Sequence, residues 1–287
     1  MTTSPVGVAM ASVPAGGVAI DASPAGAALP GADEPDLERR FGGLRRLYGD
    51  AGYARIRSAH VAVVGVGGVG SWTAEALARS GVASLTLVDL DHVAESNVNR
   101  QVQALGSTLG MAKVEALRAR IADIHPGCVV HAVEEFAEPE NWPGLLPAPV
   151  DAVVDACDQG RAKAAIAAWA LATRVPLVVV GAAGGKRRPE QVEVGDLAGA
   201  THDPVLASLR QRLRKLHGAA KSGPIGIDCV FSREAIALPA GEAEGCDVDG
   251  TLNCHGYGSS VGVTATFGLV AATRALESAA LAALPKR

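Results

Sequence analysis

Three groups suited to polyphosphate stand close together in this chain. Asn97 and Arg100 lie in Ser96-Asn97-Val98-Asn99-Arg100, and Lys113 follows thirteen residues later. Arg grips phosphate oxygens through two parallel hydrogen bonds, and Lys supplies a point charge. Both stabilise charge that builds on a phosphorus centre under attack. That is more cation than a redox dinucleotide needs, and it suits a nucleotide whose phosphates react. A lone Lys at position 113 would otherwise read as a solvated place on a charged helix. Ahead of the three lies a glycine turn, Gly65-Val66-Gly67-Gly68-Val69-Gly70-Ser71. Gly65 and Gly67 let the backbone turn tightly and approach phosphate, with Gly68 in the same turn, and Gly70 lets the following helix pack close. The start of that helix turns free N–H groups towards an anion. The turn fits GxGxxG, so taken alone it suits NAD as well as ATP. Asp89, nineteen residues after Gly70, can accept hydrogen bonds from ribose hydroxyls with either nucleotide. Asp158 follows a short apolar run and could hold Mg²⁺ bridging phosphates; it also stands where a helix N-cap would.

The elements that must hold these groups alternate. Val61–Val64 is an apolar strand feeding a helix over Ser71–Ser80, and Leu85–Val88 is a second strand. A helix over Met111–Ile124 carries Lys113 and stops at His125-Pro126-Gly127. Val129–Val133, Asp151–Ala156 and Leu177–Val180 are further strands, with a helix over Arg161–Thr173. A polar helix over Leu44–Arg57 precedes them all. Strand–helix alternation predicts an α/β fold: a Rossmann-like, mostly parallel sheet with helices on both faces. Near-continuous Val runs fit strands buried on both sides. Past Gly181 the pattern becomes β-rich and then helical. Strands are expected at Gln191–Val194, Ile227–Phe231 and Ala235–Leu238, with a charged helix over Pro204–His217. A glycine- and acid-rich loop spans Pro239–Gly258. Residues 37–287 read as one domain, with a nucleotide-binding core over about 58–181 and a substrate-side extension over 182–287.

Composition narrows the classes. A chain of 287 residues that is 48% hydrophobic can bury a large core, and with only 3% aromatic residues that core must be Val, Ala and Leu. Its five cysteines are an odd number without any CxxC, which argues against a disulfide framework and a four-thiolate zinc site. A reduced, cytoplasmic protein is expected. Residues 1–36 read as a disordered tail of mostly small residues. They hold no Lys or Arg, so the cationic start of a targeting peptide is missing. Asp21, Asp33, Glu34 and Asp36 account for the whole net charge of −4. Overall charge therefore neither announces nor excludes a nucleic-acid partner, because steering depends on local patches. The apolar run Val261–Leu284 is broken by Arg274 and Glu277 and reads as a buried core helix, with no membrane span expected.

The block from Gly65 to Lys113, together with Asp158, resembles the adenylating domain of the ubiquitin-activating-enzyme-like superfamily. Four further segments are similar to one family within it, the tRNA threonylcarbamoyladenosine dehydratases. They are Arg40-Phe41-Gly-Gly-Leu-Arg-Arg46-Leu-Tyr48-Gly49, Gly181-Ala-Ala-Gly184-Gly185, Gly226-Ile-Asp228-Cys229-Val230-Phe231-Ser232 and Val263-Thr264-Ala-Thr266-Phe267-Gly268. The resemblance runs from about Arg39 to the C-terminus. It implies ATP and Mg²⁺ as cofactors and tRNA carrying threonylcarbamoyladenosine as substrate. It also implies a homodimer and a link to a cysteine-desulfurase-dependent sulfur carrier as possible partners. The substrate's threonine carboxylate would attack the α-phosphorus of ATP, and its carbamoyl group would then close a ring and expel AMP. Gly67 and Gly70 would contact the nucleotide and Asp89 its ribose. Asn97, Arg100 and Lys113 would bind triphosphate, and Asp158 would hold Mg²⁺. Arg40 or Arg46 would reach a nucleotide site, that of the other subunit included.

In ubiquitin-activating relatives a downstream Cys accepts an acyl group, which makes Cys229 a candidate nucleophile. Its place in an apolar strand equally suits a small buried residue. Cys246 and Cys254 sit in the 239–258 loop and are taken as incidental. Two basic patches could hold RNA phosphates, Lys186-Arg187-Arg188 and Arg210, Arg212, Arg214, Lys215 and Lys221, though a solvated helix face would look the same. Two other functions stay open. A sulfur-carrier protein adenylyltransferase would share the fold but usually carries paired CxxC motifs. An NAD-dependent oxidoreductase, or a module that only holds nucleotide, would not need Asn97, Arg100, Lys113 and Asp158 together.

Overall fold

Strand β1 (His60–Val64) shows how the layers form. Val61 and Val63 face one side of the sheet and Ala62 and Val64 the other, and all four are at most 1% exposed. A strand buried on both faces needs apolar residues at every position, and this one has them from Val61 onwards. The computed structural model describes residues 35–237 and 257–281. In chain order the elements are α1 (Leu37–Phe41), α2 (Arg45–Ser58), β1, α3 (Gly70–Arg79), β2 (Ser84–Val88), α4 (Lys113–Ile124), β3 (Val129–Val133) and β4 (Ala152–Asp155). They continue with α5 (Gly160–Thr173), β5 (Leu177–Val180), β6 (Val192–Asp196), α6 (Pro204–Leu216), β7 (Asp228–Ser232) and α7 (Val261–Leu281).

Seven strands form one sheet in the order β3-β2-β1-β4-β5-β7-β6. Every neighbouring pair is parallel except β6 with β7. The sheet is thus continuous across position 181: the expected extension adds β7 and an antiparallel edge strand to the same layer. Helices α3, α4 and α7 pack with Ile56 of α2 on one face, and α5 and α6 cover the other. Helix α7 lies across α3, where Gly268 leaves room that a Cβ would take from Val69 O and the Trp72 Cβ. Phe267, Ala271 and Ala275 are fully buried there. Burying one such large apolar side chain is worth about 1.5–3 kcal/mol, so α7 is core, as its composition predicts.

Most element ends lie within a residue or two of the expectation, and three differences stand out. No strand forms over 235–237; the Ala237 N–H donates instead to the Gly185 carbonyl at 2.8 Å. The strand expected at 191–194 runs on to Asp196, whose carboxylate accepts N–H bonds from Ala198, Ile225 and Gly226. The helix expected from Met111 begins at Lys113. The tail over 1–34, residues 238–256 (the end of the expected strand and most of the 239–258 loop, with Cys246 and Cys254) and the last six positions lie outside the described residues. No helix among the described residues is long and apolar enough to cross a membrane.

Candidate nucleotide site

Strand order reverses between β1 and β4, and a crevice opens beyond the carboxyl ends of the strands at that point, where α/β sheets bind their ligands. Its cavity measures roughly 260 Å³ and is lined by the glycine turn, Asp89, Asn97, Arg100, Lys113 and Asp158. Residues spread over more than ninety positions of sequence therefore share one site.

The glycine turn is built by close approach. Gly65 has φ +81, a left-handed value that costs a side-chain-bearing residue, and a Cβ there would come within 2.7 Å of the Cys157 nitrogen. A Cβ on Gly70 would collide with the Gly65 carbonyl oxygen. Tight turning thus falls on Gly65, whereas Gly67 has no such φ. Asp89 directly follows β2 and ties the turn down. One carboxylate oxygen accepts the Val66 N–H at 2.8 Å and the other the Asp91 N–H at 2.9 Å. Burial raises its pKa, and Lys113 opposes the rise.

The phosphate set is held in graded ways. Asn97 is buried, and its Oδ1 accepts the Ala94 N–H at 3.0 Å. Arg100 donates from Nη1 to the Ser96 carbonyl at 2.5 Å and to Asn99 Oδ1 at 2.9 Å. Its Nε is buried without a hydrogen-bond partner. Lys113, 6% exposed at the first position of α4, donates from Nζ to Asp91 Oδ2 at 2.6 Å. The Asp91 side chain is 54% exposed, so an anion in the crevice can compete with it for the ammonium. Asp158 is exposed in the lining of the same crevice, and Gln159 is the N-cap of α5, so Asp158 does not serve as that cap. No group of three or more His, Cys, Asp or Glu is gathered for a metal among the described residues. One exposed carboxylate facing a phosphate site is nevertheless the donor set Mg²⁺ commonly takes, with phosphate and water completing it.

Other candidates fall elsewhere. Cys229 is fully buried within β7, and burial pushes its thiol pKa far up. A thiol held protonated in the core is not a nucleophile, so that reading is corrected. Lys186 is also corrected: it is 3% exposed and donates to the Ser232 and Glu234 carbonyls, both at 2.9 Å. Arg210 bonds the Leu197 and Ala200 carbonyls and Arg214 the Ala220 carbonyl. Both are partly taken by the fold. Arg187 and Arg188 are exposed, and their backbone N–H groups donate to the Glu234 carboxylate. Arg40 donates to the Asp123 and Ile124 carbonyls at the end of α4, and Arg46 is exposed on α2, away from the crevice lining.

The crevice also holds residues that motif reading passed over: Phe136, Tyr257 and Lys163. Lys163 forms an ion pair with Asp155 at 3.0 Å, with both side chains at most 1% exposed. The signal in the sequence is a charge inside the alanine-rich stretch Ala162–Ala165 of α5.

The chain is similar to known proteins along most of its length. The family model described as "ThiF family" matches residues 40–283. The chain is 43% identical over 248 residues to the tRNA threonylcarbamoyladenosine dehydratase of Escherichia coli K12, covering 83% of this chain and 92% of that protein. A crystal structure of the E. coli dehydratase in complex with ATP superposes with a TM-score of 0.76 at 42% identity, covering 85% of this chain and 96% of that one. Its complex with AMP gives a TM-score of 0.78 at 41% identity, covering 89% and 100%.

Proposed function

The chain belongs to the ThiF family, and from that premise we infer that it is an ATP-dependent adenylating enzyme that dehydrates threonylcarbamoyladenosine in tRNA. The observation that carries the reading is the extent of the likeness. Identity to a dehydratase covers 92% of that protein's length, so it takes in the substrate-side strands and α7 as well as the nucleotide-binding half. The same chemistry suits the crevice.

The threonine carboxylate of the substrate attacks the α-phosphorus of ATP, an oxygen–phosphorus bond forms, and pyrophosphate leaves. The carbamoyl group of the same side chain then attacks the activated carbonyl, AMP leaves with one carboxylate oxygen, and a ring closes. The nucleoside has lost one water. Carboxylate oxygen is a poor leaving group and AMP a good one. The second step is intramolecular, so it needs orientation more than a protein nucleophile.

The residue roles are our proposal. Asp89 orients the ribose while its carboxylate holds the glycine turn. Arg100 and Lys113 neutralise charge on the phosphates, Lys113 exchanging its Asp91 partner for a phosphate oxygen. Asn97 offers its amide to the same group. Mg²⁺ held by Asp158 and phosphate oxygens would supply further charge neutralisation. Exposed Arg187 and Arg188 suit tRNA phosphates. Arg46 would serve a nucleotide only across a symmetric dimer, whose mass in solution is measurable by light scattering. Reaction in the cytoplasm follows from where tRNA and ATP meet.

Nucleoside mass spectrometry on tRNA bearing threonylcarbamoyladenosine tests the whole. The expected result is an ATP-dependent loss of one water with release of AMP. An unchanged nucleoside, with pyrophosphate exchange on a carrier-protein C-terminus instead, would transfer the protein to the sulfur-carrier adenylyltransferases.

A further inference from the structure

Lys163 is a cation at the floor of the crevice that the phosphate chemistry does not use. It is 1% exposed, and its ammonium has three oxygen partners. They are Asp155 Oδ1 at 3.0 Å, the Asp155 carbonyl at 3.2 Å and the Val180 carbonyl at 3.2 Å. Asp155 ends β4 and Val180 ends β5, which are parallel neighbours. Beyond these two ends the chain forms two stretches that both line the crevice, Ala156–Gln159 with Asp158 and Gly181–Gly184.

Each stretch has its own anchor. The Asp155 carboxylate accepts the Cys157 N–H at 3.1 Å, and Asp203 accepts the Ala182 N–H at 2.8 Å. Lys163 adds a side-chain link between the two strand ends, just past the last ladder pair, Asp155 with Val179. There is no slack on the far side either, because the Cys157 backbone lies where a Cβ on Gly65 would go. A shift of the Asp158 wall is therefore a shift against the glycine turn.

The sheet does not need this ion pair to exist. β4 and β5 are already joined by their ladder, and replacing a buried ion pair by apolar groups of similar volume is often neutral or stabilising. Asp155 Oδ2 is moreover buried with no hydrogen-bond partner, a cost that an apolar floor would avoid.

We propose that Lys163 is a positioning residue for adenylation, fixing the ends of β4 and β5 so that Asp158 faces the glycine turn at the working distance. The proposal rests on the ATP-dependent reading above. It predicts a loss in turnover without a matching loss in ATP binding, because Asp89, Asn97, Arg100 and Lys113 form their hydrogen bonds with residues outside β4 and β5. Misplacing a reactive group by about 1 Å costs on the order of 100-fold in rate.

The test compares wild type, Lys163→Met and the double variant Asp155→Asn/Lys163→Met, which is neutral and close in volume. Each is measured by thermal melting and by ATP–pyrophosphate exchange on tRNA bearing threonylcarbamoyladenosine. The double variant should melt cooperatively near wild type. Its KM for ATP should stay within about threefold while kcat falls about 10- to 100-fold. Wild-type kcat in the folded double variant would overturn the proposal, as would a loss carried wholly by KM. Failure of both variants to fold would make the pair a folding element and overturn it too. An inert wild-type enzyme would strike instead at the reading of function, so the two failures are distinguishable.

Discussion

The crevice and the basic face past Gly181 both hold cations, but they use them differently. In the crevice, Lys113 is nearly as buried as Lys186, yet its partner is a half-exposed carboxylate that an anion entering the crevice can replace. On the basic face, Lys186 is held by two backbone carbonyls and Arg210 by two more. Burial pushes the Lys186 pKa down, against the opposing pull of Asp203 and Glu234. A cation that satisfies backbone oxygens is part of the fold; one paired with an exchangeable anion is available to a ligand. Counting Lys and Arg in sequence merges the two kinds.

Removing the exchangeable cation should have the largest effect. Lys113→Ala is expected to lower pyrophosphate exchange by at least about 100-fold and to shift the melting temperature by only a few degrees. Full activity in that variant would erase the distinction between the two regions. Next comes Lys186→Met, which leaves the Ser232 and Glu234 carbonyls without their donor. A loss of about 1–3 kcal/mol in urea unfolding is expected, and an unchanged midpoint would show Lys186 to be dispensable to the fold. Arg187→Ala with Arg188→Ala should do the opposite. Stability should hold while tRNA affinity falls roughly tenfold and the log–log salt slope becomes shallower by about 1–2. Filter binding across a salt series checks this, and an unaltered slope would remove these arginines from the RNA face. The smallest effect belongs to Cys229→Ala. With its thiol held protonated inside β7, kcat should stay within about twofold of wild type. A collapse of activity in a stably folded variant would restore the nucleophile reading.

Much of the architecture could be read locally. Val61–Val64, Val129–Val133 and Leu177–Val180 announced themselves as apolar runs, and the helix from Pro204 carried its own start signals: Asp203 accepts the Leu206 N–H at 3.0 Å and Pro stands at the first turn. The crevice was legible too, because GxGxxG, Asp89 and the Asn97–Arg100 stretch each have short-range spacing. What failed was long-range. The edge strand was expected at Gln191–Val194, but its antiparallel partner is β7, more than thirty residues away. Nothing local marked Ala235–Ala237 as backbone committed to Gly185 rather than to a ladder.

The residue order thus indicates where most strands and helices form and which motifs gather at the crevice, since periodicity, glycine spacing and caps act over a few residues. It leaves open which charges are spent inside the protein. Lys113, Lys163 and Lys186 are alike as letters. Folding sets one beside Asp91, one between two strand ends and one against two carbonyls, and the availability of each ammonium follows from the oxygens that long-range packing brings within 3.2 Å.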